Sequence, residues 1–167
     1  LAGPVVSAAV IFKKGIDLNL LKDSKKISFN KREKISEHIK CNSHYSIGIA
    51  SVNEILNLNI LQASLLSMKR AIDKLIVKPG LTLIDGNFVP KGLKNCKAIV
   101  NGDEKIKVIS AASIIAKVYR DNLMIKLSKK FGNYAWDRKF GYGTKAHLDG
   151  LKKFGITAHH SNAFKPV

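Results

Sequence analysis

Two carboxylates in this chain stand at positions where catalytic acids are often found. Asp85 follows the apolar run Leu81-Thr82-Leu83-Ile84 and precedes Gly86, and Asp103 follows Ala98-Ile99-Val100 with Gly102 before it. Strand ends of this kind can bring oxygen ligands together. Hard divalent cations such as Mg²⁺ take carboxylate and water oxygens, and two such ions about 3.5–4 Å apart can clamp the attacking and leaving oxygens of a phosphodiester. The competing reading is that Asp85-Gly86-Asn87 is an ordinary turn, because these residue types favour turns wherever they occur. Local spacing leaves both readings open.

Two other clusters suit phosphate or nucleic acid. Asp23-Ser24-Lys25-Lys26 offers two ammonium groups and a hydroxyl in one loop, able to grip phosphate oxygens without reading sequence, although a solvated surface turn has the same composition. Gly141-Tyr142-Gly143-Thr144 sets an aromatic ring between two glycines just before a helix start, where the ring could stack on a sugar or base or simply pack. His147, His159 and His160 lack paired spacing to other ligands and read as structural or surface residues. The chain has no GxGxxG, phosphate-binding P-loop, nucleophile elbow or metalloprotease helix.

The elements that would position these residues alternate between strand and helix. Val5–Phe12 is β-branched and apolar and predicts a strand buried on both faces, and Tyr45–Ser51 alternates like a second. Ser28 can cap a mostly surface helix running to about Lys40. From Ile60 the apolar residues Leu61, Leu65, Met68, Ile72 and Leu75 recur at helical spacing until Pro79-Gly80 breaks the pattern. Leu81–Ile84 reads as a buried strand and Ala98–Val100 as a short one, Ser110–Lys130 as a long helix, and Lys145–Phe154 as a last helix capped by Thr144 and ended by Gly155. Strands interleaved with helices predict an α/β or mixed-sheet fold, and 167 residues without an evident linker predict one domain over residues 1–167.

Charge narrows the class of partner. Lys and Arg number 29 against 12 Asp and Glu, a formal net charge of +17. A sequence pI near 10.0 goes with it. Such an excess favours a polyanionic partner, since each neutralised phosphate releases condensed counterions, although heavy Lys, Ile and Asn usage is also what an AT-rich coding sequence produces. The apolar runs are far shorter than the roughly 18 residues of a membrane span. Cys41 and Cys96 form no CxxC pair or zinc pattern, so a disulfide framework is not indicated and a reducing cytoplasm is the expected location.

In order along the chain, these segments resemble bacterial ribonuclease HII. The resemblance rests on LAGPVVSAAVIF (1–12), DSKKIS (23–28), NILQASLLSMKRAI (59–72), LIDGN (83–87), NGDEK (101–105), SAASIIAKVYRDNLM (110–124) and GYGTKAHL (141–148), which span nearly the whole chain. It implies a ribonuclease H-like mixed β-sheet flanked by helices. It also implies a monomeric endonuclease that cuts RNA in RNA–DNA hybrids and 5′ of single ribonucleotides in duplex DNA, as in ribonucleotide excision repair. Four acidic residues of the family hold two divalent ions, Mg²⁺ or Mn²⁺, and the third and fourth map to Asp85 and Asp103. Tyr142 matches the tyrosine that stacks on the sugar beside the ribonucleotide, and Ser24, Lys25, Lys26 and Asn59 fall in blocks expected to contact substrate.

The same resemblance carries three departures. An Asp-Glu-x-Gly-Arg-Gly block, which in the family precedes the segment beginning here at Leu1 and supplies the first two carboxylates, is not in this sequence. Because that block lies on the central first strand, a gap in the sheet and a chain inactive by itself are expected, with a non-catalytic nucleic-acid-binding fragment as the alternative. His160-Ser161-Asn162-Ala163-Phe164 replaces the usual His-Arg-Arg-Ser-Phe, and Leu56 stands where relatives usually have Asp.

Overall fold

The computed structural model describes residues 2–21 and 28–161, so Ser24, Lys25 and Lys26, and Asn162 to Phe164 near the end, lie outside the described residues. The elements run β1 (Val5–Phe12), α1 (Phe29–Cys41), β2 (Ser43–Ala50), α2 (Val52–Leu58), α3 (Ile60–Asp73), β3 (Thr82–Asp85), β4 (Cys96–Ile99), α4 (Gly102–Lys105), α5 (Lys107–Ser128), α6 (Trp136–Lys139) and α7 (Lys145–Phe154). The chain divides into two compact units. The first comprises the described parts of Leu1–Val5, Ala50–Ser64 and Tyr119–Val167, and the second comprises those of Val6–Ile49 and Leu65–Val118.

Local sequence accounts for most helix ends. The Ser28 side chain accepts a hydrogen bond from Lys31 N–H and starts α1. Ser51 and Glu54 form a reciprocal capping box at α2, a short helix that hydrophobic spacing does not reveal. Gly155 ends α7 with φ 74°, whereas Thr144 at its start makes no side-chain cap bond.

In the second unit, Ile35 and Ile39 of α1 pack with Leu21 and with Ala111, Ile114, Ile115 and Val118 of α5, and Ala8, Val10, Phe12 and Ile47 lie against them. Helix α1 is mostly surface, as expected, and turns one narrow face to the core: of its thirteen residues only Ile35, Ser36 and Ile39 are buried. Its two isoleucines sit four residues apart and face the same side, and each fully buried side chain of this size stabilises by about 1.5–3 kcal/mol.

The described strands form two separate two-stranded sheets, β1 with β2 and β3 with β4. Strands β3 and β4 are parallel, with Thr82 opposite Cys96 and Asp85 opposite Ile99. Between β1 and β3 lies a groove of about 600 Å³, lined by Val6–Phe12, by Val77–Asp85, and by apolar residues of α3 and α5 such as Met68, Ile72 and Ile109. Burial of β1 on both faces, expected from its apolar run, is not what the structure has: all eight of its residues are only half-buried, because the strand is paired with β2 on one side and opens on the groove. Strand β3 likewise buries only Ile84.

In the first unit, Met124, Tyr134 and Trp136 are buried with Ala2, and Leu127, Phe131, Phe140 and Leu151 complete the cluster. A smaller cluster joins Ala50, Ile55 and Ala63, with Val5 against it.

Candidate active site

Asp85 is the last residue of β3 and is exposed. Its Oδ1 accepts a hydrogen bond of 2.8 Å from the Gly102 amide, the residue next to Asp103. Parallel pairing makes this possible, since it brings the C-terminal ends of β3 and β4 to the same edge of the sheet. Glycine at 102 is required for the approach. A Cβ there would stand 2.7 Å from Ile109 Cδ1 and 3.3 Å from Asp85 Oδ1.

Asp103 itself does not directly follow a strand. Strand β4 ends at Ile99, the chain turns through Asn101 in the left-handed region (φ 54°), and Asp103 lies in the single turn of α4, where it is half-buried. The sheet ends one residue earlier than the run Ala98-Ile99-Val100 predicts because Asn101 tolerates the positive φ that starts α4. The two acids are thereby held on neighbouring segments of one sheet edge. Their donor set is hard oxygen, which suits Mg²⁺ or Mn²⁺, and it is small: among the described residues no group of three acidic, His or Cys side chains comes together.

Asn59 and Tyr142 belong to the other unit. Asn59 adopts φ 69° between α2 and α3, and its Oδ1 accepts from Gln62 N–H at 3.1 Å, so its side chain caps α3. Tyr142 is 56% exposed. It follows Phe140 and Gly141, both with positive φ (50° and 80°), and a Cβ on Gly141 would come within 2.5 Å of the Ala2 carbonyl oxygen. The glycine is needed there for conformation and for space.

A buried polar cluster underlies Tyr142. The Tyr142 carbonyl lies 3.0 Å from His147 Nδ1 and accepts from Thr144 N–H at 2.8 Å. His147 Nε2 accepts from Trp136 Nε1–H at 3.2 Å and faces His160 Nε2 at 3.0 Å, while His160 Nδ1 accepts from Thr157 N–H at 2.8 Å. These partners assign the tautomers: His147 donates from Nδ1 to the carbonyl, and His160 donates from Nε2 to His147. Both rings are therefore neutral. Burial holds His147 below the usual histidine range, and burial together with neighbouring His147 lowers His160 to about 4. Their reading as structural residues agrees with this geometry.

Sequence reasoning missed Arg120. The signal available to it was an arginine inside an α5 segment rich in Ala and Ile. Its guanidinium donates to the carbonyls of Ala2 (3.0 Å), Pro4 (3.2 Å) and Phe140 (2.8 Å) and lies 5.5 Å from the centre of the Tyr142 ring.

Comparison with known proteins places this geometry in context. A family model described as Ribonuclease HII matches residues 1–166. The chain is similar to the ribonuclease HII of Pelagibacter ubique, with 57% identity over all of this chain and 90% of that protein. Its fold resembles the crystal structure of ribonuclease H2 from Pyrococcus horikoshii, with a TM-score of 0.76 and 26% identity over 98% of this chain and 88% of the other. It also resembles a structure of Bst-RNase HIII in complex with Mn²⁺, with a TM-score of 0.68 and 16% identity over 92% of this chain and 58% of that one, a likeness of fold. The mixed α/β architecture, the family match across nearly the whole length and the close relative lead to one conclusion: this chain belongs to the ribonuclease HII family of endonucleases.

Proposed function

We propose that the edge carrying Asp85 and Asp103 serves the hydrolysis of RNA in RNA–DNA hybrids and of the bond 5′ to single ribonucleotides in duplex DNA, leaving a 3′-hydroxyl and a 5′-phosphate. The observation that carries this reading is the bond from Gly102 N–H to Asp85 Oδ1, which ties the acid at the end of β3 to the start of α4, where Asp103 lies, at one edge of a parallel pair. Asp85 and Asp103 would hold part of a site for two divalent ions, Mg²⁺ or Mn²⁺, and the structural relative bound to Mn²⁺ supports that choice of ion. Such ions would stabilise the charge that develops on the phosphodiester. Tyr142 would meet the sugar beside the ribonucleotide, Ser24, Lys25 and Lys26 would grip phosphates, and Asn59 would approach the substrate through the backbone that its side chain shapes. A cytoplasmic monomer is the proposed form; among the described residues no helix is long and apolar enough to cross a membrane.

The small set of acids favours a second reading for the 167-residue chain alone: it binds duplex nucleic acid through its net charge of +17 without cutting it. A cleavage assay on a DNA duplex with one ribonucleotide, with Mg²⁺ or Mn²⁺, separates the two. The chain is compared with a version extended upstream by an Asp-Glu-x-Gly-Arg-Gly strand, and Asp85→Asn and Asp103→Asn are tested in the extended form. Cutting only by the extended form, abolished by either substitution, is the expected result. Comparable cutting by the unextended chain, or full activity of Asp85→Asn, would overturn the proposed site.

A further inference from the structure

An exposed tyrosine between glycines should sample several orientations, since glycine restrains neither the backbone nor its neighbour. Here the segment is fixed from below. Arg120 uses Nε, Nη1 and Nη2 on three different carbonyls: Pro4, Phe140 and Ala2. Ala2 N–H in turn donates to the Gly141 carbonyl at 3.1 Å, so the residue before Tyr142 is tied to the strand leading into β1. After Tyr142, His147 and Thr144 N–H hold its carbonyl. The same guanidinium that fixes Phe140 lies 5.5 Å from the centre of the Tyr142 ring. A planar fork that bonds three carbonyls while its charge lies within cation–π range of an aromatic ring is a role for arginine that lysine cannot reproduce.

We propose that Arg120 is a positioning residue that presets the Tyr142 ring for the sugar beside a ribonucleotide, so that selectivity for that substrate depends on Arg120 through Tyr142. This rests on the reading of Tyr142 as a substrate contact. A platform already in place does not lose rotamer freedom on binding, and the expected gain is roughly 2- to 10-fold in affinity. Arg120 does not touch the substrate in this scheme. Its guanidinium bonds backbone carbonyls and lies 5.5 Å from the centre of a ring that is 56% exposed.

The test is a double-mutant cycle in the protein extended upstream by the Asp-Glu-x-Gly-Arg-Gly strand. Fluorescence anisotropy at low salt, without divalent ions, gives the affinity for a labelled DNA duplex with one ribonucleotide and for the all-DNA duplex of the same sequence, and the ratio is the selectivity. Tyr142→Leu should bring the ratio close to one. Arg120→Lys, which keeps the charge, should lower it roughly 2- to 10-fold and add nothing in the Tyr142→Leu background. Unchanged selectivity in Tyr142→Leu refutes the reading of Tyr142 and the proposal with it. A normal Tyr142→Leu effect with selectivity retained in Arg120→Lys, or lost equally in both backgrounds, overturns the role of Arg120 alone. A second measurement needs no change at Arg120. The Arg120 Hε resonance of the unmodified chain should be shifted upfield by the ring and should move downfield in Tyr142→Leu; an unmoved resonance shows that the ring is not held there.

Discussion

Acidification should loosen the unit around Trp136, and the size of the effect follows from His160. In the folded chain its Nδ1 accepts from Thr157 N–H and its Nε2 faces His147, so a proton added at Nδ1 meets a donor already in place. Its pKa of about 4, against 6.5 for an ordinary histidine, means that the unfolded chain takes up the proton first as pH falls. Stability is therefore full above about pH 6.5 and is lost as pH falls towards 4, by about 3 kcal/mol across the window from this residue, at 1.36 kcal/mol per pH unit. Between pH 7 and pH 5 the expected loss is about 2 kcal/mol, and His147, lowered by burial, acts in the same direction. Trp136 is the only tryptophan, is fully buried, and donates to His147, so its fluorescence reports this unit. The assay is urea unfolding of the chain and of His160→Gln at pH 7 and pH 5, followed at Trp136. The variant starts less stable but should lose about 2 kcal/mol less on acidification, because the other titrating groups are common to both proteins. An equal loss in the two would refute the assignment of a neutral His160.

Replacing Ser51 by Ala removes one half of the capping box at α2 and should cost about 1 kcal/mol, read as a lower urea midpoint with an unchanged slope. Tyr142→Ala in the upstream-extended protein should weaken cleavage at a single ribonucleotide by an amount equivalent to about 1–3 kcal/mol while leaving the melting temperature nearly unchanged; a large thermal loss with normal kinetics would mean that the ring is packing. The unextended chain should bind duplex with log affinity falling by roughly 0.9 per phosphate contact for each tenfold rise in salt, and a flat salt response would contradict charge-driven binding.

Much of this molecule was legible in sequence because the signals are local. The 3.6-residue spacing places the start of α3 at Ile60, although the helix ends at Asp73, several residues before Pro79-Gly80, and the Ser28 cap and Gly155 place α1 and α7 within a residue or two of their observed bounds. The excess of basic residues and the acids beside Gly86 and Gly102 needed only composition and order. Tertiary structure decided the rest. Whether the apolar β1 is buried depends on what lies on its second edge, which no residue within the strand specifies, and that edge opens on a groove. Asp85 and Asp103 become one candidate site only because β3 and β4 pair in parallel and Gly102 leaves room for the carboxylate. Arg120 meets Ala2 and Pro4 across more than a hundred residues of chain, and His160 stays neutral because it is buried and faces His147. Periodicity and propensity act over a turn or a strand, whereas burial, charge state and the joining of distant side chains are set by packing between elements, and only the folded chain expresses them.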